Sequence, residues 1–433
     1  MSYAAFLQRK TRVWTGIGVE PSAMPPQLFP WQAAIVKWAL RKGRAAIFAD
    51  CGLGKTFMQV AWAMGLPAGS RTLFLAPLCV AEQTVAEGLK IGAHIRYARN
   101  QSEAHGDPMV ITNYERVDDF DVSLFDAVVL DESSILKAFD GKTRKKLIDL
   151  CQSVRYRLCC TATPSPNDIA ELGNHAEFLG LMKYSEFLAT WFVHDDAGWR
   201  MKRHAVKPFF RWMASWAVAL RAPSDLGYPD DGFTLPKLSI VDHVVDIEGA
   251  ASDTLFPEMG VRGLSGRLGA RRASLEARIE ATARLAVAHP QCQSLVWCGL
   301  NEEADGITEA VVGAVQVAGQ DSYDSKVSAV TRFVAGNVQT LVSKVRILGY
   351  GMNFQNCHHM MFCGLGDSFE QYYQAIRRCW RFGQQHPVTA NIVVSVPERV
   401  IVENVRRKES AARQLSDELV GQMQDFEREE IAV

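Results

Sequence analysis

Short apolar runs rich in β-branched and aromatic residues recur through the first half of the chain, at Ala45 to Asp50, Thr72 to Pro77, Met109 to Asn113, Ala127 to Glu132 and Arg155 to Thr163. Helical stretches separate them, such as FMQVAWAM shortly after the first run. Apolar strands alternating with helices predict a parallel sheet whose faces are covered by crossover helices. A second series follows at Gln293 to Gly299, Val315 to Gly319, Thr340 to Lys344, His358 to Gly364 and Thr389 to Val396. The pattern therefore predicts two α/β units, and no internal repeat is visible at the residue level.

Between the two series, APSDLGYPDDGFTLP from Ala222 to Pro236 is dense in Pro, Gly and Asp, the composition of an ordered linker. The expected division is a first domain over 1–221, a linker over 222–240 and a second domain over 241–433. Tyr184 to Leu220, rich in Trp and Phe, reads as helices appended to the first domain. In the second domain, an arginine-rich helical insert is expected over about 248–289 and a charged helix from Glu398 to Glu430.

Composition supports two cores. The chain has 433 residues, of which 48% are hydrophobic and 22% charged, more than a single core usually organises. The opening MSYAAFLQRKTRVWTG has no long apolar core behind a basic start, and no run is long enough to cross a bilayer, so no membrane association is expected. Ten cysteines without a C-x-x-C pair suit reduced thiols and a cytoplasmic setting. Cys357, His358, His359 and Cys363 form the tightest candidate metal cluster, but their spacing matches no common zinc site, and packing is the expected role. With 47 Lys and Arg against 48 Asp and Glu, any surface for a polyanion must be local.

The chemistry is concentrated in a few segments. AAIFADCGLGKT places Gly52, Gly54, Lys55 and Thr56 between a strand and a helix, where backbone N–H groups and the helix N-terminus can cradle phosphates. Lys55 can then meet the β- and γ-phosphates of ATP and Thr56 can hold Mg²⁺, although Ala49 stands where the usual pattern has its first glycine. Asp131 and Glu132 end the apolar strand AVVL, so Asp131 can orient Mg²⁺, partly through water, and Glu132 can polarise the attacking water. Asp417 and Glu418, by contrast, sit in a charged helical segment and read as a solvated face. In QAIRRCWRFGQ, helical spacing puts Gln374, Arg378 and Arg381 on one face, where positive charge could meet a departing γ-phosphate.

Taken in order, these segments resemble a superfamily 2 helicase, most closely the Swi/Snf-like branch and the compact helicases often encoded by bacteriophages. LFPWQAAIVKWAL is similar to the adenine-reading entry motif, with Gln32 as its glutamine. ADCGLGKT resembles motif I, LAPLCVAEQ motif Ia, ITNYERV motif Ib, LDESSILK motif II and TATPSPND motif III. SLVWCGLNEEADGI resembles motif IV, LVSKVRILGYGMNFQ motif V and QAIRRCWRFGQ motif VI. The resemblance implies two tandem RecA-like domains of the P-loop NTPase class with helical insertions, and ATP with Mg²⁺ bound in the cleft between them. It makes Arg381 the arginine finger with Arg378 its companion, and gives Gly351 and Asn353 to the nucleotide-sensing segment. Thr161, Thr163 and Gln374 would couple the ATP site to the track, while Pro77, Thr112, Asn113, Ser343, Lys344 and Gln355 would grip nucleic acid. Motif II reads DESS, not DEAH or DEAD, and motif V has Val345-Arg346-Ile347-Leu348 where the Swi/Snf-like branch is glycine-rich.

The function implied is a DNA-dependent ATPase that translocates on or remodels DNA in replication, recombination or repair, in a bacterial host cytoplasm if phage-encoded. An RNA helicase, or the motor of a nuclease complex, fits the same motifs; a nuclease or a replication or recombination protein is the corresponding partner. A helicase-shaped binding subunit without turnover fits poorly with retention of Lys55, Asp131, Glu132 and Arg381. Basic groups at Lys142, Arg144, Lys145 and Lys146, at Arg200 to Lys207, and at Arg262, Arg267, Arg271 and Arg272 read individually as solvated faces. The third is the candidate for contact with duplex DNA.

Overall fold

The computed structural model describes residues 13–21, 23–77, 80–137, 141–165, 168–195, 198–246, 272–349 and 352–432, which divide into two compact units, 1–233 with 411–433 and 234–410. The segment 411–433 thus belongs with the first unit, not with the second in which the sequence reading places it.

In the first unit, helix α1 (Pro30–Lys42) starts on a proline and stops at Gly43, whose φ of 68° a residue with a side chain would resist. There follow β1 (Arg44–Ala49), α2 (Lys55–Met64), β2 (Thr72–Ala76), α3 (Ala81–Lys90), β3 (Arg96–Tyr97), β4 (Met109–Asn113) and β5 (Ala127–Asp131). The unit continues through α4 (Lys142–Leu150), β6 (Tyr156–Cys160), α5 (Leu172–Phe178), α6 (Tyr184–Trp191), a hairpin of β7 (Phe192–Asp195) and β8 (Gly198–Met201), α7 (Val206–Ala214) and β9 (Ala217–Leu220). Seven strands form a wholly parallel sheet in the order β3-β4-β2-β5-β6-β1-β9. Alternation along each strand splits the core in two: Phe48, Leu75, Val128 and Cys159 face one layer with Phe187 and Trp216, while Ile47, Phe74, Val129 and Cys160 face the other with Trp38 and Trp62.

The segment Tyr184 to Leu220 is therefore more than appended helices. It supplies the antiparallel β7–β8 hairpin and the edge strand β9, which pairs in parallel with β1 from Ala46↔Ala217 to Ala49↔Leu220. Arg144, expected on a solvated basic face, is buried, paired with Glu177 and laid over the Tyr184 ring at 5.4 Å.

The second unit has β10 (Leu238–Val245), α8 (Leu275–Val287), β11 (Ser294–Cys298), α9 (Asn301–Ala310), β12 (Val315–Val317), α10 (Tyr323–Val334) and β13 (Thr340–Lys344). After a single helical turn at Val345–Leu348 come β14 (His359–Cys363), α11 (Phe369–Cys379), β15 (Val388–Ser395) and α12 (Arg399–Ala432), whose residues from Ala411 belong to the first unit. Its sheet is also parallel, in the order β10-β15-β14-β11-β13-β12. Strand β10 begins inside the expected linker and pairs with β15 from Leu238↔Val388 to Val245↔Ser395. The expected insert over 248–289 lies outside the described residues up to 271, including Arg262, Arg267 and Arg271; its end forms α8.

A fully buried ion cluster braces this unit. The Arg278 guanidinium donates to Glu303 at 2.7 Å and lies 3.2 Å from Glu398, while Glu303 accepts from the N–H groups of Gly299 and Leu300 and Glu398 from Ser395 N–H and Oγ. The two carboxylates offset the desolvation of Arg278 and hold its pKa up. They also tie α8 to the turn after β11 and to the end of β15. Among the described residues no helix is long and apolar enough to cross a membrane.

Candidate functional site

In a parallel sheet the C-terminal strand ends share one edge, and the loops leaving β1, β5 and β6 carry the candidate residues of the first unit there. The loop from Asp50 to Gly54 turns through Gly52 (φ 90°) and Gly54 (φ 72°), conformations for which glycine is suited. Lys55, 9% exposed, donates from Nζ to Ala49 O at 2.8 Å and to Asp50 O at 3.3 Å, so its ammonium rests within the curl of the loop. Gln32 lies under the same loop. Its Nε2 donates to Leu53 O at 2.9 Å and its Oε1 accepts from Phe29 N–H at 3.0 Å, which pins the start of α1 to the loop. Thr56 opens α2 half-buried.

Asp131, at the end of β5, is buried and accepts from Gln59 Nε2 at 2.6 Å. Burial raises its pKa from 3.8 to about 6, Glu132 adds to the rise, and the Gln59 hydrogen bond and the Lys55 charge oppose it. A divalent cation would stabilise such a buried carboxyl in its ionised form, so the chemistry of Asp131 is compatible with Mg²⁺. Glu132 is one of two non-glycine residues with positive φ among the described residues, at 54°. Its Oε2 accepts from Thr161 Oγ1 at 3.3 Å, and Thr161 Oγ1 in turn accepts from Thr163 N–H at 3.1 Å. The end of β5 and the loop after β6 are thus joined through a hydroxyl.

Three supporting residues escaped the sequence reading. Gln59 follows Lys55 by four positions, so both lie on one face of α2, a spacing that could have revealed it. Tyr114 donates its hydroxyl to Asp131 O at 2.6 Å, fixing the strand end. His175 of α5 lies with Nε2 3.1 Å from Ser133 Oγ in the DESS segment, and burial lowers its pKa to about 4, so the ring is neutral. Neither of the last two carries a local sequence signal.

In the second unit, Gln374, Arg378 and Arg381 do come together, but not on one helix face as expected. Helix α11 stops at Cys379, and Arg381 lies in the turn that follows. Arg378 donates to Gln374 Oε1 at 2.6 Å, to Gln374 O at 3.0 Å and to Met352 O at 3.1 Å, and Arg381 reaches the same Met352 O at 3.2 Å. Asn353, next along the chain, accepts from Gln355 N–H at 3.3 Å. Gly351 lies outside the described residues.

The expected nucleic-acid grips divide. Thr112 and Ser343 are fully buried, the latter donating to Val317 O at 2.8 Å, and Asn113 is 5% exposed and donates to Glu115 at 2.7 Å. Their side chains do not face solvent, because both faces of these strands are covered. Pro77 and Lys344 are half-buried and Gln355 is exposed. Lys344 lines a cavity of about 240 Å³ at the ends of β11, β13 and β14, with Gly299, Arg346, Gly364, Ser368 and Gln371. Of the residues once weighed as metal ligands, Cys357 donates to Gln293 O and His359 O, each at 3.2 Å, and His359 lies 3.1 Å from Asn391 Nδ2. Asp417 is exposed and paired with Arg221.

Comparison with known proteins bears on the fold and on part of the second unit. Residues 277–383 match the helicase conserved C-terminal domain. A variant of S. cerevisiae Dbp5 bound to RNA and ADP BeF3 superposes with a TM-score of 0.57 at 11% identity, over 90% of this chain and 93% of that one. The Sulfolobus solfataricus SWI2/SNF2 ATPase core in complex with dsDNA matches at 16% identity with a TM-score of 0.43, over 93% of this chain and 98% of that one. None of the curated proteins compared with the chain matches it. The two parallel-sheet units have the tandem RecA-like fold of superfamily 2 helicases, and the second carries a match to the helicase C-terminal domain.

Proposed function

We propose that the chain is a superfamily 2 nucleic-acid-dependent ATPase that couples ATP hydrolysis to movement on, or remodelling of, DNA. The observation that carries the reading is the convergence of Lys55, Asp131 and Glu132 at the loops of one sheet edge, within a chain whose second unit matches a helicase domain. A phosphate loop alone specifies a nucleotide hydrolase; the helicase C-terminal match makes nucleic acid the expected stimulus.

Each residue then has a distinct task. The Gly52 to Gly54 loop and Lys55 receive the phosphates, and Lys55 exchanges its carbonyl contacts for them. Bound Mg²⁺ supplies charge neutralisation to the phosphates. Asp131, with Thr56, would hold the metal through its water shell, and the Gln59 amide fixes the Asp131 carboxylate. Glu132 orients and polarises the attacking water, with Thr161 holding its other side. Arg378 and Arg381 supply positive charge for the departing γ-phosphate, and their shared contact with Met352 O ties that charge to the Asn353 segment. DNA is taken as the track because the motif set resembles the Swi/Snf-like branch.

The test is ATP hydrolysis with single-stranded DNA, duplex DNA, forked DNA and RNA, together with strand displacement on the fork. Lys55→Ala is expected to abolish turnover, and Glu132→Gln to abolish it while ATP still binds. Stimulation by RNA alone would replace the DNA assignment with an RNA one.

A further inference from the structure

The β7–β8 hairpin is anchored at its base, while its His194–Trp199 pair is exposed. At its base Phe192 pairs with Met201, and Phe192, 2% exposed, packs 5.4 Å from Phe187 and 6.1 Å from Phe209 between ring centroids. Lys202 fixes the return strand, donating from Nζ to Ala189 O at 2.6 Å and from its backbone N–H to Trp191 O at 2.9 Å. Two residues further out on the same face, His194 pairs with Trp199, ring edge against ring face at 4.9 Å and 70°. Both are exposed, and Trp199, at 42%, is the only tryptophan among the described residues in the exposed class.

Asp195 and Asp196 follow His194 in the chain, but on the C-terminal side of Trp199 the charge has one sign. From Gly198 to Arg211 the chain carries Arg200, Lys202, Arg203, Lys207 and Arg211 and no Asp or Glu, within a protein of net charge -1. Arg200, Arg203 and Lys207 are exposed, whereas Arg211 lies over the Phe426 ring at 5.8 Å. An exposed indole held edge-on by a cross-strand imidazole, followed along the chain by exposed cations, has the components of a surface for single-stranded nucleic acid: a flat apolar face for a base and positive charge for phosphates.

We propose that the β7–β8 hairpin binds a single strand of nucleic acid, with Trp199 stacking on an unpaired base and Arg203 and Lys207 contacting the flanking phosphates. The inference rests on the helicase reading and adds to it a strand contact outside the helicase motifs. Such a contact ignores sequence, because every base has a π face.

The test is anisotropy of a fluorescein-labelled oligothymidylate and of a labelled duplex across a salt series, for the wild type and for Trp199→Ala, Trp199→Phe and Arg203→Ala/Lys207→Ala. Trp199→Ala is expected to weaken single-strand binding by about 5- to 150-fold and duplex binding less, with Trp199→Phe close to wild type. The double variant is expected to reduce the slope of log affinity against log salt by about 1.4 for single strands. ATP hydrolysis without nucleic acid should be unchanged in all three. The wild type with a 4-thiothymidine oligonucleotide should cross-link within 192–207, a readout independent of any variant's folding. Single-strand affinity of Trp199→Ala within about twofold of wild type, or cross-links confined to other segments, would overturn the proposal and leave the face to a protein partner. A wild type that binds single strands but hydrolyses no ATP, with binding lost in Trp199→Ala, would sink the ATPase reading and keep the surface. DNA-stimulated hydrolysis with unaltered Trp199→Ala binding would do the reverse.

Discussion

Asp131→Asn isolates the electrostatic strain of the nucleotide-free site. The carboxyl is 7% exposed, its pKa lies near 6 instead of 3.8, and the amide of asparagine can still accept the Gln59 hydrogen bond through Oδ1. That gap corresponds to about 3 kcal/mol of penalty on the ionised form in the folded state. The sign follows from proton binding. Below about pH 4 the carboxyl is protonated whether folded or unfolded, and no penalty arises. Between about pH 4 and pH 6 the unfolded chain ionises while the folded one keeps its proton, so wild-type stability falls as pH rises, and above about pH 6 the full penalty stands. Asp131→Asn does not titrate. Its melting temperature for the first unit should exceed the wild-type value by roughly 6–12 °C at about pH 8, with the gap closing towards about pH 4. The assay is thermal unfolding of both proteins over that pH range without nucleotide; Mg²⁺ should then narrow the gap at high pH by favouring the ionised wild type. Melting curves of the two proteins that run parallel at every pH would refute a strained Asp131.

Three further outcomes follow from neighbouring contacts. Gln59→Ala removes the hydrogen bond that lowers the Asp131 pKa, so the acid limb of the pH–rate profile should move to higher pH and kcat at neutral pH should fall, with KM for ATP near wild type; an unmoved profile would separate Gln59 from the metal carboxylate. Gly54→Ala places a Cβ 2.5 Å from Gln32 Nε2 on a backbone of φ 72°, so ATP binding should be lost, and adding Gln32→Ala should relieve the contact without restoring wild-type affinity, as measured by nucleotide titration. Arg278→Met leaves Glu303 and Glu398 buried without their cation and should destabilise the second unit by about 3–5 kcal/mol in urea unfolding, against less than about 1 kcal/mol if the cluster is immaterial.

The central strands were legible because a strand buried on both faces is mostly apolar along its length, and such runs stand out even without alternation. Met109–Asn113 and Thr340–Lys344 match the expected bounds, and β1 and β15 shift by a residue. The missed strands are edges or short pieces. Strand β3 has two residues; β9, with the apolar sequence AVAL, follows an aromatic-rich helix and reads as its continuation; β10 has only half-buried and exposed positions and comes directly after a proline-rich linker. The end of α12 looked solvated because its charges dominate the composition, yet Leu419, Val420, Met423 and Glu427 are buried. Burial lifts the Glu427 pKa well above the usual carboxylate range, while the hydrogen bond from Ala219 N–H opposes the rise.

The candidate site was legible where its chemistry is local. Gly54, Lys55 and Thr56 are contiguous, and Asp131 and Glu132 end one strand. The partners that orient them are not: Tyr114, Thr161 and His175 reach motif II from other strands and helices, and only the folded sheet brings them there. Burial was the other blind spot, since Thr112 and Ser343 match motif positions yet face the core.

ATP hydrolysis with and without nucleic acid, measured on the wild type beside Lys55→Ala and Arg381→Ala, tests the central claim most directly. A wild-type rate raised by DNA and abolished by either substitution is the predicted result. Hydrolysis that persists in Lys55→Ala, or a wild-type rate that neither DNA nor RNA changes, would contradict the account.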